Sequence, residues 1–585
     1  MRIGGASGYW GESAMATPQL LAAGVDVLVY DYLAEITMSL LARAKAKDPE
    51  AGFATDFISA AMKPHLTEIA RSGTKVISNA GGVNPEACGR ALRGLIAEAG
   101  LSLKVAVVTG DDLSQQAEDI AGAGHTEMFS GEAFPSVKRL ASMNAYLGAF
   151  PIAEALRQGA DIVVTGRCVD SAVTLGALIA EYGWGPEDWN LLAAGSLVGH
   201  VLECGPQATG GNFTDWRDVP NRAEIGYPIA EVAADGSAVI SKPEGSGGLV
   251  SVGTVSEQIV YEIGDPGAYL LPDVVCDFRS VEVEQAGENC VRVTGAKGRS
   301  APSTYKVCAT YGDGWRAGLT PTFYGFEADA KARAFADDVI ARTEARLRAA
   351  NLPPLTETSV EVIGAGSLLG ESRTADEVVV KLAARHPDAV GVGVLLKEAA
   401  GIGLASAPGL SGFAGARPKP SPVVRLFSFL LPKDQVDIAI DMGDGPVPFS
   451  VPITGAQADD ASDVEVSAVT TDEPLVEVPL IKAAWARSGD KGASANAGVI
   501  ARHPDLLPYL WEQLTEDAVA ARFSHVLEGE VQRFAMPGLG AINFLLTEAL
   551  GGGGIASLRA DAQGKGFSQV MLTMPVRVPE RLIAS

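Results

Sequence analysis

The stretch GHVLECGPQATGGNF, residues 199–213, carries the densest set of side chains suited to chemistry. His200 has the side chain of a general base and Cys204 that of a nucleophile or thiol contact, four residues apart. The high glycine content indicates backbone that approaches a ligand closely. Two alternatives stay open: a metal site with a third ligand from elsewhere, and a purely structural loop. The other candidates in this stretch are Gln207, Gly210, Gly211 and Asn212.

Cations in two further segments are placed to bind an anion. Arg167, in VTGRCVDSA, follows a strongly apolar run and suits recognition of a carboxylate or phosphate. Asp170 is either a second candidate base or the cap of the next helix. In ARSGDKG, Arg487 and Lys491 flank Asp490 in a pattern typical of an anion cradle or of a solvated hairpin loop. We expect Arg167→Ala to change KM or kcat without unfolding the protein.

A third glycine pattern approximates a dinucleotide fingerprint. Gly364, Gly366 and Gly370 follow an apolar run with GxGxxxG spacing, whereas the fingerprint is GxGxxG. The match is weak, since no βαβ unit leads the chain at this point. A nicotinamide-linked oxidoreductase would need to bind its nicotinamide cofactor at these glycines.

The first 200 residues alternate short apolar runs with helical patterns, which predicts an α/β fold with a mostly parallel sheet. The predicted strands are 2–4, 25–30, 75–79, 104–109 and 161–165. Ligands of parallel sheets bind outside the carboxyl ends of the strands, so small and polar residues there predict a binding rim. The alternative is that these residues only end strands and cap helices. The rim candidates are Gly5, Ser7, Gly8, Asn79, Gly81, Gly82, Asp111 and Arg167.

The sequence divides into three parts. Residues 1–455 are predicted to form the large α/β domain, with a β-rich subdomain at 196–330. An acidic linker is predicted at 456–476, inside a stretch without Lys or Arg between Lys433 and Lys482. Residues 477–585 are predicted to form a small α+β domain, with helices at 505–520 and 528–535 and a strand at 569–575. In the large domain, helices are predicted at 141–158 and 327–350.

Composition excludes several classes of protein. The chain has 585 residues, with 46 Lys and Arg against 71 Asp and Glu, a net charge of −25. Such a field repels nucleic acid and anionic lipid, so neither is an expected partner. The six cysteines form no CxxC pair, which disfavours a zinc ribbon or a disulfide framework. With no apolar run of about 20 residues and no secretory pattern at the N-terminus, a cytoplasmic location is expected.

Six motifs carry a resemblance to a known family: RIGGASGYWGES, NAGGVNP, VVTGDDL, VTGRCVDSA, GHVLECGPQATGGNF and ARSGDKG. With these motifs the sequence resembles the bacterial acyclic terpene utilisation AtuA family over nearly its whole length. The resemblance implies a large N-terminal α/β domain and a ferredoxin-like C-terminal domain. It also implies a role in the breakdown of branched acyclic terpenoids such as citronellol and geraniol, through CoA thioesters. It brings no list of catalytic residues.

These observations predict a lyase or hydratase that acts on a branched acyl-CoA by acid–base chemistry. His200 or Asp170 would be the base, and Asn212 with glycine N–H groups would steady an enolate oxygen. Arg167 would bind a distal carboxylate, while Arg487 and Lys491 would bind the CoA phosphates. We expect no metal and no tightly bound cofactor, CoA being part of the substrate, and a homo-oligomer. The alternatives are a non-catalytic acyl-CoA-binding or accessory subunit and, third, the nicotinamide-linked oxidoreductase.

Overall fold

A large mixed sheet with a parallel centre forms the framework of the N-terminal part. The computed structural model describes residues 1–12, 14–412, 418–453, 464, 466–467, 469 and 473–583. Most of the predicted linker at 456–476 therefore lies outside the described residues. The strands are β1 Arg2–Gly5, β2 Val27–Tyr30, β3 Lys75–Ser78, β4 Val105–Thr109, β5 Leu140–Ala145, β6 Ile162–Thr165, β7 Ile229–Val232, β8 Ala238–Ser241, β9 Tyr269–Leu270, β10 Val275–Asp277, β11 Glu282–Gly287, β12 Cys290–Thr294, β13 Lys297–Arg299, β14 Thr304–Leu319, β15 Thr322–Tyr324, β16 Glu357–Ile363, β17 Glu377–His386, β18 Leu410–Ser411, β19 Ser421–Pro432, β20 Ile438–Asp441, β21 Pro446–Phe449, β22 Leu475–Pro479, β23 Ala484–Lys491, β24 Ser494–Ala501, β25 Val531–Met536, β26 Ala541–Leu546 and β27 Pro575–Pro579.

Helices pack on both faces of this sheet and also cover the smaller sheets of the fold. They are α1 Ala16–Ala22, α2 Glu35–Lys47, α3 Leu66–Ser72, α4 Pro85–Glu98, α5 Ala117–Gly122, α6 Phe150–Arg157, α7 Ala172–Tyr182, α8 Trp189–Leu202, α9 Val252–Ile259, α10 Ala328–Ala349, α11 Ala389–Gly401, α12 Leu507–Gln513, α13 Glu516–Arg522 and α14 Phe567–Met571.

The order of the strands explains why the site lies where it does. Among the described residues the first sheet has eleven strands in the order β11-β12-β8-β7-β1-β2-β3-β6-β4-β20-β21. The five central strands, β1, β2, β3, β6 and β4, are parallel, so their carboxyl ends meet at one edge. Successive side chains of these strands enter two separate cores: Val76 packs on one face and Ile77 on the other. This burial on both faces is typical of parallel sheets and accounts for the apolar runs in the sequence.

Four further sheets occur among the described residues, of which β13-β10-β9 and β22-β27 are small. Strands β18, β15, β17, β14 and β19 form an antiparallel sheet, to which β5 and β16 add. In the C-terminal part, β23, β24, β26 and β25 form a four-stranded antiparallel sheet covered by α12, α13 and α14. The predicted fold class is confirmed: a large α/β sheet, an antiparallel β insertion and a small α+β domain.

Several predicted elements are wrong. The helix predicted at 141–158 is strand β5 followed by α6, because residues 140–145 pair with β14. The segment 196–330 is β-rich as predicted, with strands β7 to β15 beginning in it, and it also contains the end of α8 and all of α9. In the C-terminal part, the helix at 528–535 is strand β25, and the strand at 569–575 begins as helix α14.

The glycine at the end of β1 permits a close approach between backbones. A Cβ on Gly5 would lie 2.6 Å from the carbonyl oxygen of Leu202, at the end of α8. Gly81 is similar, since its Cβ would lie 2.4 Å from the carbonyl oxygen of Thr165. These glycines of the predicted rim thus serve contacts within the protein.

Substitution of Gly5 with alanine is expected to lower the free energy of unfolding by about 1–3 kcal/mol, because the added methyl group overpacks a buried contact. The matched control is Gly94→Ala on the exposed side of α4, where a Cβ meets nothing within 4 Å. That variant is expected to gain about 0.5–1 kcal/mol from the higher helix propensity of alanine. Urea unfolding of the two variants measures both changes, and an equal effect at the two sites would contradict the close approach at Gly5.

Candidate functional site

Arg167 is the centre of a polar cluster at the carboxyl edge of the parallel strands. It follows β6 directly and its side chain is 5% exposed. Its Nη1 donates to Oδ1 of Asp170 at 2.7 Å and to the carbonyl oxygens of Leu33 at 3.0 Å and Cys168 at 3.1 Å. A guanidinium group that is buried and bonded in this way stabilises the fold, in addition to any role in binding a ligand. The structure therefore argues against the expectation that Arg167→Ala would leave the fold intact.

Tyr146 lies directly under the guanidinium group. The Arg167 carbon Cζ is 4.2 Å from the centre of the Tyr146 ring, and the Lys306 ammonium is 4.9 Å from it. The Tyr146 hydroxyl donates to Oε1 of Glu35 at 2.7 Å. Burial by itself would raise the pKa of Glu35, but the charges of Lys306 and Arg167 outweigh it and lower the pKa to about 2. Glu35 is therefore an ionised carboxylate at neutral pH.

Asp31, at the end of β2, has the opposite character. Its Oδ1 accepts a hydrogen bond of 2.5 Å from Nδ2 of Asn79, while Oδ1 of Asn79 accepts from the backbone N–H of Tyr32. Burial, followed by the negative charge of Asp170, raises the pKa of Asp31 well above its usual range. Asp31 thus tends to keep its proton, and the predicted rim residue Asn79 holds it in place.

Asp111, after β4, is a second buried acid at the same edge. Its Oδ2 accepts from the backbone N–H of Arg167 and from Nδ2 of Asn144, both at 2.8 Å. Burial raises its pKa to about 7 despite these two hydrogen bonds. The carboxyl edge of the sheet therefore carries one carboxylate with a lowered pKa, Glu35, and two acids with raised pKa values, Asp31 and Asp111.

His200 lies in the last turn of α8 and forms a pair with Glu203. Its Nδ1 is 3.0 Å from Oε1 of Glu203, and its Nε2 is 3.1 Å from the carbonyl oxygen of Ile259. Burial lowers the pKa of His200, but the charge of Glu203 more than offsets this and the net shift is upward. The 3.0 Å contact places His200 where it can orient Glu203, although Nδ1 is a buried atom without a well-directed hydrogen bond. This arrangement does not favour the predicted role of a free base.

Cys204 has surroundings that oppose a thiolate. Burial raises the pKa of the thiol well above its usual value, and the charges of Glu203, Glu262, Asp31 and Asp170 raise it further. These neighbours argue against the predicted nucleophile. The four carboxyl groups therefore lie close enough to the space around Cys204 for their charges to act on the thiol.

The C-terminal domain docks beside this space through Arg487. Its Nη1 donates to the carbonyl oxygen of Asn212 at 3.0 Å, and its Nη2 donates to Oε1 of Gln207. The guanidinium carbon is 4.7 Å from the centre of the Tyr261 ring. Arg487 thus joins the two domains. Asn212 itself is exposed and adopts a left-handed backbone conformation, with φ of 57°.

The tip of the β23–β24 hairpin carries two charged residues, Asp490 and Lys491. Oδ1 of Asp490 is 3.3 Å from the ammonium group of Lys565, in the loop before α14, which also contacts the Tyr261 hydroxyl and, at 3.0 Å, Oε1 of Glu262. Lys491 is exposed, with its ammonium 5.5 Å from the centre of the Tyr269 ring. Burial and the charge of Glu262 raise the pKa of Asp490 to about 6, and Glu35 is near enough to add to the shift. The hairpin tip therefore lies close to the polar edge of the large sheet.

Two buried asparagines fix this docking. Asn496 donates through Nδ2 to the carbonyl oxygen of Val260 at 2.9 Å and to Oδ1 of Asn543 at 2.6 Å. Asn543 donates in turn to the carbonyl oxygens of Ile263 at 2.9 Å and Gly264 at 2.6 Å. Backbone groups of the large domain that follow α9 are thus bonded by the sheet of the small one.

The remaining predicted cradle residues are occupied by contacts within the chain. The N–H of Gly8 donates to Oε2 of Glu12 at 2.6 Å, and the Ser7 hydroxyl donates to the carbonyl oxygen of Tyr9 at 3.2 Å. The other glycine amides donate to carbonyl oxygens nearby: Gly5 to Pro228, Gly81 to Thr165, Gly82 to Asn79, Gly210 to Gln207 and Gly211 to Pro206. The structure does not show these amides aimed at a ligand.

The dinucleotide interpretation of Gly364, Gly366 and Gly370 is wrong. The fingerprint requires a strand, a tight turn and a helix within a parallel unit. Here the glycines lie between β16 and β17, which pair antiparallel to each other.

Comparison with protein families decides where the chain belongs. The family described as "Acyclic terpene utilisation family protein AtuA" matches residues 1–442, and the "AtuA ferredoxin-like domain" matches residues 478–577. The chain belongs to the AtuA family. No curated protein and no solved structure gave a significant match. The resemblance stated from the sequence motifs is thereby confirmed, and with it the assignment of the chain to acyclic terpene utilisation.

Sequence reasoning missed three members of this AtuA site. Glu35 and Tyr146 lie in segments without unusual composition, and only the fold brings them to Arg167. Glu203 lies in the polar stretch that contains His200, but it was not among the predicted site residues. Its spacing of three residues from His200 was the available signal, since such residues share a helix face.

Two further findings concern the described parts of this AtuA protein. None of their helices combines the length and apolar content needed to cross a bilayer. They also contain no group of three or more His, Cys, Asp or Glu side chains arranged to hold a metal ion.

Proposed function

We propose that this protein is a lyase or hydratase that moves a proton next to the thioester of a branched acyl-CoA. The observation that carries the proposal is the pairing of Glu203 with buried His200, beside Asp31 and Arg167. Glu203 is near enough for its charge to raise the pKa of Asp31. Burial also raises the pKa of Glu203 itself, and neighbouring carboxyl groups with shifted pKa values are typical of acid–base catalysis.

Each group has a definite task in this proposal. Glu203, held by His200, takes the proton from the carbon next to the thioester carbonyl, and the electron pair moves to the carbonyl oxygen. Asp31 donates a hydrogen bond to that oxygen as its negative charge develops. The positive charge of Arg167 partly balances the negative charges of the carboxylates around the site. The proposal needs no resident cofactor, since CoA is part of the substrate.

The hairpin tip supplies the contact to the anionic end of the substrate. Lys491 is exposed and, unlike Lys565, has no ion pair among the described residues. We assign it to a CoA phosphate, with Arg487 holding the hairpin at the site. A cytoplasmic homo-oligomer is the setting in which we place the enzyme.

The test incubates the purified protein with branched enoyl-CoA and 3-hydroxyacyl-CoA thioesters and records masses together with thermal stability. A ligand at about 100 times its Kd adds about 2.7 kcal/mol of stability. We expect stabilisation and a mass change equal to water or to a cleaved acyl fragment. In Glu203→Gln the stabilisation should persist while turnover falls by about 100-fold or more, the usual effect of removing a general base. Glu231→Gln, at an exposed position on β7, is the matched control and should turn over normally.

A non-catalytic acyl-CoA-binding or accessory subunit is the second candidate. The internal bonding of the predicted glycine cradles favours it, because those loops are complete without a ligand. Stabilisation by the thioesters without any mass change would support this role. Absence of both signals would contradict both candidates.

A further inference from the structure

A small internal cavity lies on the side of Arg167 that faces β5 and β14. Its volume is about 10 Å³, which is room for about one water molecule. Glu35, Ser142, Asn144, Tyr146, Arg167 and Thr310 contribute to its lining. His200 and Glu203 do not line the cavity, but Arg167 connects it to Asp31, which the charge of Glu203 also reaches.

Two polar atoms of this lining are buried without a hydrogen-bond partner. They are Nε of Arg167 and Oδ1 of Asn144. The Arg167 residue is 4% exposed and Asn144 is 2% exposed. Buried polar atoms in proteins are nearly always paired, so an unpaired donor and an unpaired acceptor at one cavity indicate a missing group between them.

The lining also determines the chemistry of that group. An anion is disfavoured because Glu35 is ionised and Oδ1 of Asn144 is an acceptor. A cation is disfavoured because the guanidinium group of Arg167 forms one wall. Ser142 and Thr310 contribute hydroxyls, 2.7 Å apart, that can donate or accept. We infer that the cavity between Arg167 and Asn144 binds a neutral oxygen that donates and accepts a hydrogen bond, either water or an alcohol hydroxyl.

This oxygen gives the proposed reaction its second reactant. A hydratase needs a place for the water that it adds or removes, and a lyase acting on a 3-hydroxyacyl thioester needs one for the hydroxyl group. That interpretation rests on the proposed function, whereas the binding of the oxygen does not. Nδ2 of Asn144 also donates to Asp111, so the Asn144 amide links the oxygen to a carboxyl group with a pKa of about 7.

A high-resolution crystal structure of the full chain tests the inference without any turnover. We expect density for an oxygen within hydrogen-bonding distance of both Arg167 Nε and Asn144 Oδ1. Soaking with a 3-hydroxybutyryl thioester of CoA separates the two sources. Displacement of the oxygen by the ligand's hydroxyl identifies the alcohol, and its persistence identifies water. An empty cavity, or Arg167 Nε bonded to another protein atom, would overturn the inference.

Ser142→Thr tests the cavity by adding one methyl group to its lining while keeping the hydroxyl. We expect the oxygen density to disappear and turnover to fall by about tenfold, the loss that corresponds to one hydrogen-bonded group. Ser428→Thr, at a buried serine on β19 that does not line the cavity, controls for overpacking. Density that persists in Ser142→Thr would show that the oxygen lies elsewhere. A wild-type protein without turnover would defeat the proposed function but leave the crystallographic result standing.

Discussion

A protein in which methionine replaces Arg167 is expected to lose about 3–5 kcal/mol of its free energy of unfolding. The guanidinium group is buried, and its removal leaves Asp170 and the carbonyl oxygens of Leu33 and Cys168 without their donor. Glu35 also loses one of the two cations that keep it ionised. Breaking a buried ion pair from one side is costly because the remaining charge stays in a poorly polarisable environment. Urea unfolding followed by circular dichroism measures the loss.

Arg90→Met is the matched control for Arg167→Met. Arg90 pairs with Glu50 on the surface, where the two side chains are 55% and 71% exposed. Exposed pairs contribute about 0–1 kcal/mol, so this variant should unfold almost as the wild type does. Arg167→Lys keeps the charge but loses the flat stacking on Tyr146, and an intermediate loss is expected. This variant provides the measurement if Arg167→Met does not fold, and equal stability of Arg167→Met and Arg90→Met would contradict the structural role of Arg167.

The parallel sheet could be predicted because its signal is local. The run VDVLVY is apolar on both faces, and its strand is buried on both faces in the structure. The residues after each strand, such as Asp111 and Arg167, were then placed at one edge by the parallel order alone. Their proximity is a consequence of topology, which strand and helix alternation predicts well.

The structure of the segment around His200 could not be predicted, because the glycines at its start serve helix packing and not ligand binding. Gly195 and Gly199 lie inside α8, and a Cβ on either would lie 2.7 Å from α7 or from Ser171 just before it. The sequence analysis took Gly199 as part of a glycine-rich segment close to a ligand, whereas in the structure it allows α8 to pack closely against Ser171. A glycine needed for packing and one needed for a ligand have the same sequence signal.

The contribution of the C-terminal domain was also beyond prediction. Asn496 and Asn543 are ordinary strand residues in the sequence, and their partners lie more than 230 positions away. No periodicity reports a contact of that kind. The two cations of the predicted anion cradle have different surroundings once the domains dock. Arg487 is hydrogen-bonded to the large domain, whereas Lys491 is exposed.

The second large effect is expected in the pH dependence of Asp111→Asn. The pKa of Asp111 is about 7 in the folded protein, against 3.8 for an unperturbed aspartate. Between these values the folded state holds a proton that the unfolded state has released, so the free energy of unfolding falls as pH rises. Asp111 makes its full contribution to the free energy of unfolding below about pH 4. This contribution is lost above about pH 7, a change of up to about 4 kcal/mol.

Asparagine has no proton to lose, and its carbonyl oxygen can still accept from Arg167 N–H and Asn144. Asp111→Asn should therefore gain stability relative to the wild type as pH rises from 4 to 8, although Asp31 and Glu203 still titrate in both proteins. Urea unfolding at several pH values gives this difference directly, and Asp337→Asn, at an exposed position on α10, is the matched control. A constant difference between Asp111→Asn and the wild type would mean that Asp111 is ionised in the folded protein. In that case Asp111 would be a carboxylate at neutral pH, and it would accept the hydrogen bond of Asn144 in that form beside the Arg167 cavity.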